Sequence, residues 1–284
     1  MLRGFRWYLS RGITMKVVML AAGLGSRLGQ ASAEIGPKVL MQFGGKSLLE
    51  RHIDICKAQG IGELVLGVGF QHDKIQHEIE RLGAESFVRT LFNKDFEQGN
   101  IVTLSILRDE FCCGKPIILM DADILYDESL LERLIKSQHS NCLLFDRSFE
   151  PDDESVKICI RGGNIIEFRK WLTADSDFCG ESVGLFKFSA EIALKIMLQA
   201  DLSLGQGRRH EPYEETIRDV LLTSPRGKFA FEDITGLPWI EIDFAEDVER
   251  AKTDILPQIS KAITDRTLIS QLDSNTDQSL ALMS

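Results

Sequence analysis

The chain has 284 residues, of which 44% are hydrophobic and 27% charged, and its formal net charge is −10. This composition excludes a disordered or fibrous chain, and the length suits one large α/β domain, or a domain with a subdomain. A strongly acidic balance suits a nucleic-acid polymer poorly, and no stretch approaches the roughly 20 apolar residues of a membrane span.

In chain order, residues 1–14 are basic and partly apolar. Arginines break the apolar run too often for a signal or anchor, so the segment reads as an extension ahead of Met15. Lys16 to Ala21 is an unalternating apolar run, the pattern of a strand buried on both faces of a parallel sheet. It ends in Ala21-Ala22-Gly23-Leu24-Gly25, followed by Arg27 and then by Pro37-Lys38. Small residues and glycines let a ligand lie against backbone N–H groups, and two cations beside them suit a triphosphate. Ser47 opens a helix to Gln59, with Glu50 three residues on as in a capping box. Glu63–Val68 reads as a second buried strand, Gln71–Leu82 as a helix, and residues 86–91 as a third strand. Strand–helix–strand units at this spacing predict a doubly wound parallel sheet.

A polar loop from Asn93 to Asn100 leads into a helix over Ile101–Asp109, and Ile117–Met120 is the most apolar strand, ending in Asp121-Ala122-Asp123. A helix over Glu128–Ser137 and a strand over Asn141–Phe145 follow. Beyond the acidic turn Glu150–Glu154 the style changes. Val156–Arg161 and Asn164–Phe168 form a hairpin around Gly162-Gly163, and Glu181–Phe188 is a further strand. A helix over Ala190–Ala200, a glycine-rich loop over Leu202–His210 and a helix over Pro212–Leu222 come next. Lys228–Glu232 and Trp239–Asp243 read as strands and Ala245–Ile255 as the last firm helix. From Gln258 the apolar stretches stop, and 258–284 reads as a loosely held helix passing into a disordered tail. The six cysteines include no CxxC pair, which argues for reduced thiols in a reducing, cytoplasmic compartment and against zinc.

Ligands of open α/β sheets bind beyond the carboxyl ends of the strands. Three polar clusters sit there: the Gly23–Lys38 loop, Asp121 with Asp123, and Asp243. Carboxylates converging on a phosphate loop describe a Mg²⁺ site, because Mg²⁺ is held by one or two carboxylates plus phosphate oxygens. Each piece alone has a plainer explanation, such as a solvated turn at Asp121-Ala122-Asp123 or a helix cap at Asp243. Their joint occurrence at strand ends carries the argument.

Leu20-Ala21-Ala22-Gly23-Leu24-Gly25-Ser26-Arg27-Leu28, then Pro37-Lys38-Val39-Leu40 and Gly45-Lys46-Ser47-Leu48-Leu49-Glu50, resembles the nucleotidyltransferases that activate sugar 1-phosphates and phospho-alcohols. The resemblance implies a Rossmann-like doubly wound mixed sheet with a small β-rich acceptor subdomain, over residues 15–257 with acceptor-side insertions near 148–238. It implies that Leu20, Ala21, Ala22, Gly23 and Gly25 cradle the nucleotide with Asp121 behind them. Arg27 and Lys38 would be the catalytic cations, and Asp123 and Asp243 would hold Mg²⁺ with Glu241 as a helper. Lys170, where the family's usual Glu-Lys-Pro is absent, would grip the acceptor phosphate.

Gln98-Gly99-Asn100, the paired aspartates and the stretch Glu241-Ile242-Asp243-Phe244-Ala245-Glu246-Asp247 look most like phosphocholine and 2-aminoethylphosphonate cytidylyltransferases. That likeness implies CTP as the favoured triphosphate and a small phosphorylated acceptor bound by Asn100, Lys170, Glu181, Tyr213 and Glu214. Carboxylates and an aromatic face there, with Trp171 close by, would meet a cationic acceptor. A sugar-1-phosphate enzyme using UTP, dTTP or GTP is the nearest alternative, and a nucleotide-sensing subunit without activity the more distant one. No nucleic acid is implied as partner, and oligomeric state is open, a homodimer included.

Overall fold

A computed structural model describes residues 15–28, 36–148, 155–171 and 175–267. The N-terminal extension 1–14, the acidic turn at 150–154 and the end of the chain from 268 lie outside the described residues. Thirteen strands are described: β1 Lys16–Ala21, β2 Gln42–Phe43, β3 Lys46–Ser47, β4 Glu63–Val68, β5 Val88–Phe92, β6 Ile117–Asp121, β7 Ile124–Tyr126, β8 Cys142–Asp146, β9 Lys157–Arg161, β10 Asn164–Arg169, β11 Phe178–Phe188, β12 Ala230–Asp233 and β13 Trp239–Glu241.

Nine of them form one mixed sheet with the path β10-β9-β11-β6-β1-β4-β5, while β8 pairs with β11 and β12 along its side. β1 runs parallel to both β4 and β6, with Leu20 opposite Gly67 on one side and Asp121 on the other. β11 is antiparallel to β6 and to β9. The β-rich acceptor side is therefore an antiparallel continuation of the main sheet, joined to it through β11. β13 pairs with β7 as a separate two-stranded ribbon.

The sheet is covered on both faces because its central strands are apolar on both. Val17 and Met19 enter one core with Leu49, Ile53, Ile75, Leu130 and Leu134 from the helices Leu48–Ala58, His72–Arg81 and Glu128–Lys136. Val18 enters the other with Leu104, Ile196 and Ile217, from the helices Asn100–Ile106, Ala190–Gly205 and Tyr213–Thr223. Each such fully buried side chain contributes about 1.5–3 kcal/mol of transfer free energy. Ser47 is the cap the sequence predicts, accepting from Glu50 N at 3.0 Å while its hydroxyl donates to Glu78 on the next helix.

Three points differ from the sequence reading. The helix from Ala190 runs to Gly205, through the first part of the expected loop, because Ala200 and Ser203 are buried on its inner face; Gly207 then closes it with positive φ. The expected helix over Ile101–Asp109 breaks at Leu107 into Asn100–Ile106 and Arg108–Phe111, which lets Phe111 enter the core. Residues 258–267 are helical, as the first part of 258–284 is expected to be, but held firmly rather than loosely. Ile259 is buried against Leu28, Phe43 and Ile242, and Arg266 makes a two-pronged hydrogen bond to Asp127 at 2.9 and 2.8 Å. No helix among the described residues is long and apolar enough to cross a membrane.

Candidate active site

The loop after β1 turns at Gly25, whose φ of +64° is left-handed, and Leu28 N closes a tight turn on Gly25 O. Leu28 is buried in the third core cluster, so Arg27 before it projects outward. Its guanidinium donates to Asp243 Oδ2 at 2.9 Å. Gly23 is different: a Cβ there would meet nothing within 4 Å. Neither a left-handed φ nor crowding explains that glycine, and approach of a ligand to the backbone would. Ala22 O accepts from Phe70 N beyond β4, which holds the cradle Leu20–Gly23 between the ends of three neighbouring strands.

Val39 is buried and anchors the short turn Lys38–Leu40, leaving Lys38 to reach across the carboxyl end of the sheet. Its Nζ donates to Asp123 Oδ2 at 2.9 Å and to Asp243 Oδ1 at 2.6 Å. Burial alone would lower its pKa; Asp123 and Asp243 outweigh that and hold it above the ordinary lysine value. The lysine is a permanent cation here.

Asp123 and Asp243 come from distant parts of the chain, and the backbone brings them together. Ile242 N donates to Asp123 O at 2.9 Å, continuing the β13–β7 pairing past its last residue pair. Asp243 N and Phe244 N then both donate to Asp247 Oδ2, so Asp247 holds the turn and Asp243 is not the helix cap. Period-two alternation in Glu241-Ile242-Asp243 puts Ile242 in the core and the two acids on the opposite side. Carboxylate oxygens of Asp123, Glu241 and Asp243 lie within 4.8 Å of one another. Burial, then Asp123 and Asp243, push Glu241 well above the ordinary carboxylate range. For Asp243, burial works upward, but Lys38 and Arg27 hold it below that range. Three hard oxygen donors packed this closely, one driven toward its neutral form, fit a divalent cation such as Mg²⁺, which would favour all three anions. Glu241, which the resemblance implies as a helper, lies within the same 4.8 Å of both aspartates.

Asp121, expected beside the nucleotide, lies in register with Leu20 on β1 and is also bonded to Tyr213. Tyr213 Oη donates to its Oδ1 at 2.9 Å and its Oδ2 at 2.8 Å. Burial, then the charges of Glu214 and Asp123, keep its pKa well raised. β11 passes so close that a Cβ on Gly184 would sit 2.5 Å from Asp121 Oδ2, and φ there is +71°. Gly184 is a residue the sequence reading missed, because only the β6–β11 pairing shows what it makes room for.

Tyr213 does not offer the aromatic face expected of it: its ring is buried, 6.5 Å from Phe186, and its hydroxyl is committed to Asp121. Trp171 is 59% exposed. Asn100 braces the site, its Oδ1 accepting from Tyr213 N at 2.8 Å. Glu181 stands in register with Lys157 of β9 and Asp146 of β8. Lys170 follows the end of β10, and its charge acts on both Asp243 and Glu214. Glu214 is pushed up to about 7, chiefly by burial and further by Asp123 and Glu215, against the opposing pull of its own backbone N–H and of Lys170. Glu167 on β10 takes a fork from Arg218, at 2.5 and 2.9 Å, and this pair ties the Tyr213–Thr223 helix to the strand that ends at Lys170.

Residues 17–152 match the MobA-like NTP transferase domain. The chain is 26% identical to the CTP:phosphoglutamine cytidylyltransferase of Campylobacter jejuni, over 83% of this chain and 98% of that one. It is 25% identical to the CMP-5'-(3-aminopropyl)phosphonate synthase of Streptomyces rubellomurinus over 84% of its own length but only 38% of that protein. Among solved structures, the CTP:phosphocholine cytidylyltransferase of Streptococcus pneumoniae superposes with a TM-score of 0.69 at 22% identity, covering 84% of this chain and 98% of that one. With the strand-end cations and carboxylates in place, these likenesses mark the chain as an enzyme of the nucleotidyltransferase class, similar to the MobA-like NTP transferase domain over residues 17–152.

Proposed function

We propose that the protein is a Mg²⁺-dependent cytidylyltransferase, joining CTP to a small phosphate ester or phosphonate with release of pyrophosphate. The observation that carries this reading is the convergence of Asp123, Glu241 and Asp243 at one point, with Lys38 bonded to Asp123 and Asp243 and Arg27 bonded to Asp243 as well. The likeness to the Campylobacter enzyme over nearly its whole length supports CTP and a phosphorylated acceptor.

An oxygen of the acceptor phosphate forms the new bond to the α-phosphorus, and the bond from that phosphorus to pyrophosphate breaks. No side chain has to remove a proton, since a phosphate monoester is largely dianionic at neutral pH, with a second pKa of about 6. Lys38 and Arg27 offset the negative charge that grows on the transferring and leaving groups, and they are held in place before reaction by their carboxylate partners. Lys170 is assigned to the acceptor phosphate, on the family resemblance and on its charge acting on Asp243 and Glu214. When bound at Asp123, Glu241 and Asp243, Mg²⁺ would neutralise phosphate charge. Nucleotide preference is tested by thermal shift with CTP, UTP, GTP and dTTP, and turnover by pyrophosphate release. Stabilisation by CTP above the other three is the expected result, and equal response to all four removes the cytidylyl assignment.

A further inference from the structure

Glu214 opens the helix Tyr213–Thr223 on the acceptor side of the metal carboxylates. Its Oε2 is buried and has no hydrogen-bond partner. Buried polar atoms are nearly always paired, because an unmade hydrogen bond leaves their desolvation uncompensated. The groups acting on this carboxyl are its own backbone N–H, the Lys170 cation and the carboxylates of Asp121, Asp123 and Glu215, and none of them pairs with Oε2. A nucleotide polyphosphate is the wrong ligand for such a spot, since it brings more negative charge and no donor. Lys170 alongside suits the acceptor's phosphate, which leaves Glu214 to the acceptor's other end.

The chemistry of that end follows from what surrounds it. A quaternary ammonium has no N–H and is recognised by open aromatic faces. Tyr213, next to Glu214, is no such face, since it is buried with its hydroxyl on Asp121, and Phe244 lies 6.0 Å from the Arg27 guanidinium. The open ring of Trp171, 59% exposed, adjoins Lys170 in the chain and not Glu214. We propose that Glu214 reads an N–H donor on the acceptor head group, a primary ammonium or a carboxamide, and that a quaternary ammonium is discriminated against. This rests on the cytidylyltransferase reading and deepens it by naming the acceptor class.

The test is a methylation series at constant charge: phosphoethanolamine, its N-methyl and N,N-dimethyl forms, and phosphocholine, with glycolamide 2-phosphate as the neutral amide. Pyrophosphate release with CTP gives kcat/KM for each, and calorimetric titration without nucleotide gives binding. The wild type should favour phosphoethanolamine or the amide over phosphocholine by about tenfold or more, because a lost donor leaves a buried acceptor unpaired. Which of the two is better separates ammonium from amide. Glu214→Met should shrink the preference to about two- to threefold, whereas Glu215→Gln, which removes the neighbouring charge, should leave it in place. A flat series in the wild type, an unchanged preference in Glu214→Met, or no binding of any of the five overturns the head-group assignment. Graded binding without turnover by CTP upholds it and instead overturns the cytidylyl reading.

Discussion

The two halves of the site are held by different means. On the nucleotide side, the loop after β1 is short, glycine-bearing and anchored by Leu28 and Val39, and its cations are bonded directly to the carboxylates they serve beside. On the acceptor side, Asp121, Tyr213, Glu214 and Lys170 come from three separate elements, braced by Asn100 and by the Glu167–Arg218 fork. Burial would raise Glu167, but Arg218 outweighs it and keeps the carboxyl below its ordinary range. The contrast separates the chemistry common to any triphosphate from the recognition of one acceptor. The first needs fixed cations near fixed anions; the second needs a buried, adjustable constellation.

Breaking the nucleotide half should have the largest effect. Asp123→Ala or Lys38→Met should lower kcat for pyrophosphate release by about 10³-fold or more, with acceptor binding little changed. Retained turnover in either variant would show that the common half lies elsewhere. Chelation by EDTA should have a comparable effect, reversed by added Mg²⁺, if Asp123, Glu241 and Asp243 hold the ion. Arg27→Ala should cost less, about 10- to 100-fold, because its side chain is 44% exposed and water already screens it.

The acceptor half should break differently. Glu167→Ala leaves Arg218 without its carboxylate partner and should destabilise the fold by about 2–3 kcal/mol, below the range for a fully buried pair. Acceptor KM should rise about tenfold while the KM for CTP stays put. Equal changes in both KM values would erase the distinction between the halves.

The smallest effect expected is on stability against pH. The Glu214 pKa is raised in the folded protein, to about 7, so its contribution is fully present below the unfolded carboxylate pKa near 4.3 and is lost as pH rises through 7. Glu214→Gln removes that loss. Relative to wild type, its Tm should therefore gain a few degrees between pH 5 and pH 8. Parallel Tm curves for the two proteins would place the carboxyl in a more open setting.

The nucleotide half was legible because its residues are close in the chain. β1, the glycine turn, Arg27 and Pro37-Lys38 lie within some two dozen residues, and local rules of strand burial and turn chemistry reach that far. Asp243 was legible only as a residue at a strand end. Its meeting with Asp123 depends on Ile242 N bonding to Asp123 O, a contact across about 120 residues that no local pattern encodes. Glu241 was half legible, since alternation gives its face but not what that face meets. The acceptor half was read from composition alone, and there the expected aromatic contact failed. Tyr213 was taken as a surface for a cation, but packing against Phe186 and the hydroxyl's bond to Asp121 turn it inward. The helix after 258 was expected, but not how firmly it is held: few apolar residues remain there, yet Ile259 and Arg266 suffice once Leu28 and Asp127 are there to receive them.

By itself the sequence determined the strand–helix alternation, the apolar central strands and the phosphate-facing loop, because backbone propensity and hydrophobic period act over one or two turns. The tertiary structure alone decided which acids share one point, that Gly184 makes room for Asp121, and that Glu214 keeps a buried oxygen with no partner. Those outcomes depend on Coulomb and desolvation energies between groups far apart in the chain, and such energies are set by distance and burial, which exist only after the sheet has formed.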